Sequence, residues 1–153
     1  MGFYQFYKQQ LVHQPVEKLW DFISRPENLK KITPKKMGFD ITSENLPETM
    51  YSGMIVSYIV APILGIKTTW VTEITHVKPR EYFVDEQRVG PYKLWHHQHF
   101  LESVPEGTLM RDIVSYQPPY GILGSIANQL FIKRKLNEIF EYRSKVLTQL
   151  FNH

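Results

Sequence analysis

The sequence predicts an α+β fold, a curved antiparallel sheet of about seven strands wrapped around a long C-terminal helix, with two short helices after the first strand. Three observations predict it. Between residues 39 and 117 apolar residues recur with a period of two, broken at short intervals by Pro and Gly. Beyond Pro118-Pro119-Tyr120-Gly121 the period becomes helical and stays so for about thirty residues, a rod of roughly 45 Å. No second helical stretch of comparable length is present, so the sheet must cover the apolar side of that rod.

Each element has its own signal. Phe3 to Val12, rich in Phe, Tyr and Val, reads as the first strand. Pro15 suits a first helical turn, and Val16, Leu19, Trp20 and Ile23 follow at helical spacing. Pro26 breaks that helix, and a second short one covers Glu27 to Ile32 and ends before Pro34. Strands are expected at 38–44, 53–61, 67–77, 81–88, 92–103 and 108–117. Pro47, Pro62 with Gly65, Pro79, Gly90-Pro91, and Pro105 with Gly107 separate them. Links this short require antiparallel pairing, because parallel strands need long crossovers. In the last segment Leu123, Ile126, Leu130, Leu136, Ile139, Phe140, Leu147 and Leu150 read as one apolar stripe. With no repeat, linker or low-complexity segment, residues 1–153 are expected to form one domain.

Composition narrows the function classes. Hydrophobic residues make up 42% and aromatics 14%, too many for a disordered chain. The absence of cysteine excludes disulfides, thiol catalysis and cysteine metal sites, and fits a cytoplasmic location. No apolar run approaches the roughly 20 residues of a membrane helix. Met1 to Phe6 lacks the pattern of a signal peptide, and Phe6 stands where a myristoylation signal has Ser or Thr. A net charge of +3 is too small to imply nucleic acid, and Lys30-Lys31 with Lys35-Lys36 read as solvated surface. No glycine-rich phosphate loop, Ser-His-Asp chain order or HExxH helix appears, which disfavours kinases, classical hydrolases and zinc proteases.

Chaining tight hairpin registers sorts the strand residues into two faces. One face carries Met54, Val56 and Tyr58, then Trp70, Thr72 and Ile74 beside Gln87, Asp85 and Phe83. Trp95, His97 and His99 join it from the next strand, and Tyr116, Val114 and Asp112 from the last. The other face carries Thr69, Val71, Glu73, Val84, Glu86, Arg88, His96, Gln98, Arg111 and Ser115, and its charges assign it to solvent. The inner set combines large aromatics (Tyr58, Trp70, Phe83, Trp95, Tyr116) with Asp85, Gln87, His97, His99 and Asp112. Buried polar groups must pair, bind water or meet a ligand, and an aromatic wall with a few convergent polar groups describes a small-molecule pocket. The competing arrangement is a filled core in which His99 pairs with Asp112 and His97 with Asp85.

Several motifs resemble one superfamily over nearly the whole chain. Pro15-x-Glu17-x-Leu19-Trp20-x-Phe22 and Pro26-x-Asn28-Leu29-x-x-Ile32-Thr33-Pro34 resemble the opening of the START-like, or SRPBCC, helix-grip superfamily. Phe83-x-Asp85-x-Gln87, Gly90-Pro91-Tyr92-x-x-Trp95-x-His97-x-His99-Phe100 and Gly107-Thr108-x-Met110-x-Asp112-x-Val114-x-Tyr116 are similar to its polyketide cyclase/dehydrase and ligand-binding branch. The resemblance implies a helix-grip fold. Since the superfamily hosts carriers, sensors and enzymes, the fold alone does not choose among them.

The function expected is binding of a hydrophobic or amphipathic small molecule, or a lipid, between sheet and helix, as a carrier or sensor. Tyr58, Trp70, Phe83, Asp85, Gln87, Trp95, His97, His99, Asp112 and Tyr116 would contact it. The alternative implied by the resemblance is a cyclase or dehydratase. There His97 or His99 removes a proton alpha to a carbonyl, Asp85 or Asp112 holds the ring, and Tyr58 or Tyr116 donates to the enolate. His97-x-His99 with Asp112 also has metal-ligand spacing, but strand histidines of this kind are more often hydrogen-bonded, and neither metal nor cofactor is expected. Connections 61–66, 88–92 and 117–121 emerge at one end, two of them apolar. They read as a pocket gate or as a docking surface for transient membrane contact or a partner. The competing reading folds Ile63, Leu64, Ile66 and Ile122 inward as a plug. The oligomeric state stays open.

Overall fold

The computed structural model describes residues 2–62 and 65–151. Strand β1 (Tyr4–Val12) leads through Pro15 into helix α1 (Val16–Ile23), whose Leu19 is fully buried. Pro15 sits at the capping position ahead of α1 rather than within its first turn. The second short helix is a 3-10 segment, Pro26–Ile32, followed by a 3-10 turn at Lys35–Met37. Prolines at 26 and 34 bound the segment, which at seven residues is long for the tighter form.

Strand β2 spans only Asp40–Ile41, shorter than its sequence pattern. The Ser43 hydroxyl accepts the Ser57 backbone N–H at 2.7 Å, so a side chain takes the ladder's next bond and the pairing ends. Then follow β3 (Met54–Val60), β4 (Thr68–Lys78), β5 (Tyr82–Val89), β6 (Leu94–Val104) and β7 (Gly107–Gln117). All seven form one antiparallel sheet in the order β1-β7-β6-β5-β4-β3-β2. At the β6–β7 turn Gly107 has φ +142°, and a Cβ there would lie 2.2 Å from the Val12 carbonyl oxygen. Only glycine fits where the turn presses against the end of β1.

Registers across β5, β6 and β7 follow the sequence reading: Phe83 faces His99, Asp85 faces His97, His99 faces Asp112 and Trp95 faces Tyr116. Between β4 and β5 the register differs, with Thr72 opposite Gln87 and Ile74 opposite Asp85. The turn between them has Arg80 in the left-handed region (φ 67°), and register shifts interrupt the ladder at Val71/Thr72 and Ile74/His76. Those irregularities restore the alternation, so Trp70, Thr72 and Ile74 still share the face of Phe83 and Asp85. On the outer face Val84 and Ser115 are buried rather than solvated, and Ser115 Oγ accepts from Gln5 Nε2 at 3.1 Å.

The C-terminal helix comprises α2 (Gly121–Ala127), a π-helical turn at Asn128–Ile132, and α3 (Lys133–Phe151). The wider turn rotates α2 about the helix axis relative to α3, so the apolar stripe splits in two. Ile132, Leu136, Phe140, Leu147 and Phe151 are buried against the sheet, whereas Leu123, Ile126, Leu130 and Leu150 are exposed. Ile132, Leu136 and Phe140 pack with Trp70, Val114 and Tyr116; Leu147 and Phe151 pack with Val12, Leu19, Leu101 and Met110. Among the described residues no helix is long and apolar enough to cross a membrane.

Candidate functional site

Between sheet and helix lies a cavity of about 190 Å³. That is below the roughly 300 Å³ at which drug-sized pockets begin. Its apolar wall includes Phe39, Val56, Leu136 and Phe140, with Leu29 and Ile32 from the 3-10 segment. Of the side chains the sequence singles out, Tyr58, Trp70, Phe83, Asp85, Trp95, His97 and His99 line it.

Three others lie elsewhere. Gln87 donates through Nε2 to the Tyr92 carbonyl (2.7 Å) and accepts the Tyr92 N–H (3.0 Å), closing the β5–β6 connection. The Tyr116 hydroxyl donates to Asn128 Oδ1 at 2.6 Å and ties the sheet to the π-turn. Asp112 is buried behind the histidines. Ile63 and Leu64, read as part of a gate or plug, lie outside the described residues.

The polar end of the cavity is a His–Asp cluster. Phe83, His99 and His97 stack, with centroids 3.9 Å apart for the first pair and 3.6 Å for the second. His97 Nε2 meets Asp112 Oδ1 at 2.7 Å and His99 Nε2 meets Asp85 Oδ2 at 2.6 Å. The pairing expected for a filled core is therefore crossed: His99 Nδ1 stands 3.2 Å from Asp112, and His97 Nδ1 4.0 Å from Asp85. Residues directly opposite on neighbouring strands are not each other's shortest contacts, because each ring reaches diagonally to the next carboxylate.

Arg143 is the member that sequence reasoning missed. Its guanidinium lies 3.6 Å from Asp112 Oδ1 and 4.7 Å from the Phe140 ring centre, and its side chain is mostly buried. A signal was available: Leu136, Phe140, Arg143 and Leu147 share one helical spacing, which puts a charge in line with the buried stripe.

Burial and pairing set the protonation states. Burial alone would raise Asp85 and Asp112, but hydrogen bonds and charge from the histidines outweigh it and hold both carboxyls below the usual range. Burial pushes His97 down, the charge on His99 adds to it, and together they overcome Asp112, leaving His97 at about 4. For His99 burial also works downward, yet two flanking carboxylates prevail and raise it. One imidazolium and one guanidinium thus balance two carboxylates, the arrangement a buried cluster requires.

Asp85, His97 and His99 each bring one ligand atom within 4.8 Å of the others. Arg143 adds positive charge beside the trio, which opposes a cation there. Two buried N–H groups on residues that line the cavity, Trp70 Nε1 and Arg143 Nε, have no partner among the described residues. Burial also raises the Tyr58 and Tyr92 phenols, keeping them protonated as hydrogen-bond donors.

The comparisons agree with this architecture. A family model described as polyketide cyclase / dehydrase and lipid transport matches residues 12–138. A search of curated proteins finds no match. Among solved structures, TTHA0849 from Thermus thermophilus shares 15% identity with a TM-score of 0.73, covering 95% of this chain and 94% of that one. CV1439 from Chromobacterium violaceum shares 14% with a TM-score of 0.71, covering 97% and 98%. Ara h 8.0201 shares 15% with a TM-score of 0.64, covering 97% and 99%. At such low identity these likenesses speak to the fold.

Proposed function

The chain belongs to the polyketide cyclase / dehydrase and lipid transport family, and from that premise we propose that it binds a small, largely apolar molecule bearing an oxygen acceptor. The observation that carries this reading is the cavity itself, a largely apolar wall closed at one end by His97, His99 and Asp85, with unpartnered buried donors on two of its lining residues, Trp70 Nε1 and Arg143 Nε. A buried donor left without a partner costs about 1–3 kcal/mol, which an acceptor on a guest removes once the side chain turns its N–H to the cavity. Tyr58, Phe83 and Trp95 supply contact area, and His97, His99 and Asp85 fix the polar end. Asp112 holds the histidines from behind, while Gln87 and Tyr116 support the wall through the backbone and helix contacts described above.

A second reading rests on His99 and Asp85 facing the cavity together. An imidazole oriented by carboxylates is equipped for proton transfer, as a cyclase or dehydratase requires.

Native mass spectrometry of the chain before and after denaturation tests the proposal, together with displacement of anilinonaphthalene sulfonate by the molecule found. A small guest carrying a carbonyl, carboxyl or hydroxyl oxygen is expected. Trp70→Phe, which keeps the ring and removes the N–H, is expected to weaken its binding about tenfold. A bare chain that also fails to take up the dye would overturn the reading. Turnover of the guest, lost in His99→Asn while binding persists, would establish the enzymatic form.

A further inference from the structure

Most of the exposed apolar residues gather at one end of the molecule, apart from Tyr7, Tyr51, Ile55 and Leu150. Tyr120 is 83% exposed, Ile122 77% and Leu123 72%, and Ile126, Leu130 and Phe131 continue the same exposed run along α2 and the π-turn. Phe3, Ile66 and Leu94, also exposed, stand at the same end of the sheet, because the antiparallel registers bring the starts of β1, β4 and β6 beside the end of β7. Monomeric proteins rarely leave so much contiguous apolar surface in water without a use for it.

Charge is segregated along the same axis. Segments 1–16, 61–72, 87–101 and 113–137 contain no Asp or Glu, yet carry Lys67, Lys93, Lys133 and Arg134. Glu44, Glu48, Glu81, Glu102 and Glu106 belong to the opposite end, in the loop before β3 and around the β4–β5 and β6–β7 turns. Two acids lie toward the apolar end and both are paired: Asp40 faces Lys30 at 3.6 Å, and Glu138 meets Arg134 at 3.3 Å and Lys135 at 3.4 Å. Lys133 lies over the Tyr4 ring at 5.7 Å, which keeps its charge at the rim of the patch.

We propose that this end docks on an anionic phospholipid surface. α2 and the π-turn lie in the interface plane with Ile122, Leu123, Ile126 and Phe131 immersed among acyl chains, and the flanking lysines pair with headgroups. A second copy of the chain would bring the same cations face to face, whereas an anionic bilayer complements both the apolar surface and its charge. The cavity lining extends to Val60 and Pro62 at the same end, so docking also sets the pocket beside the lipid. The proposal does not depend on what the cavity holds.

Co-sedimentation of the full chain with phosphatidylcholine vesicles, pure or mixed with phosphatidylglycerol, tests it, with circular dichroism checking each variant's fold. Binding is expected only with the anionic vesicles, and it should weaken as salt rises. Ile122→Asp with Leu123→Asp should lower it about tenfold or more. Lys93→Glu with Lys133→Glu should do the same, at roughly fivefold or more per site. No binding to either vesicle, or equal binding by folded variants, would overturn the proposal. So would a dimer seen by light scattering that Ile122→Asp and Leu123→Asp abolish, since the face would then serve self-association.

Discussion

His97 and His99 stack 3.6 Å apart, and two cationic rings at that separation would repel by about 4 kcal/mol even in a moderately polar interior. One proton on the pair is favoured over two, and His99, which both carboxylates reach, holds a proton more readily than His97. Arg143 supplies the remaining positive charge. Replacing it by Met keeps the stem's packing on Phe140 but leaves the cluster with one uncompensated carboxylate. Arg143→Met is therefore expected to lose about 1.5–3 kcal/mol of stability in urea denaturation. A loss below about 0.5 kcal/mol, the usual limit for a surface change, would show that Asp112 does not rely on it. The histidines and aspartates were legible from strand alternation; their pairing was not, since diagonal reach depends on sheet twist and rotamers. Arg143 was hidden for another reason: Arg and Lys bury their stems beside charges in solvent, so a cation in an amphipathic helix reads as surface.

At the scale of elements, the π-turn is the feature with the widest consequences. It lets α3 bury Leu136, Phe140 and Leu147 while α2 turns Ile122 and Leu123 outward. Its anchor is Asn128, wholly buried, whose Oδ1 accepts from the Tyr116 hydroxyl at 2.6 Å. Burial pushes that phenol up to about 12, so it remains a donor throughout the physiological range. Tyr116→Phe leaves Asn128 Oδ1 without its donor in a dry site. The expected cost is about 1–3 kcal/mol, measured by chemical denaturation. An unchanged midpoint would mean that the π-turn is held by helix packing alone. The sequence carried a hint of the turn: the expected stripe jumps from Leu130 to Leu136 across Lys133-Arg134-Lys135, a gap that a regular helix does not bridge.

For the whole molecule, the buried cluster couples stability to pH with opposite signs on its two rings. His97 falls from 6.5 to about 4 on folding, so between those values the unfolded chain binds the extra proton, and stability drops as pH falls through that window. His99 is raised; its contribution is complete below 6.5 and is lost as pH climbs through its folded value. The lowered carboxyls contribute above their ordinary range near 3.8 and lose that contribution as they protonate in acid. Thermal melts are expected to show a melting temperature that declines from pH 6.5 to 4, with a shallower decline in His97→Gln. A flat profile in the native chain would mean that His97 keeps its ordinary affinity for protons when folded.

By itself the sequence determined the element order, the antiparallel sheet, the long terminal helix and which strand faces look inward, because these follow from periodicity and short connections. Alternation put Tyr58, Trp70, Phe83, Asp85, Trp95, His97 and His99 on one face, and a shift of two residues leaves a face unchanged, so the displaced β4–β5 register did no harm. Tertiary structure alone decided how much space remains between sheet and helix, which acid each histidine meets, and that Gln87 and Tyr116 serve the wall. It also decided that the first part of the terminal helix stands outside the core. Those outcomes depend on distances between elements far apart in the chain, where one bulge or one wider helical turn redirects side chains without altering the hydrophobic pattern from which faces are read.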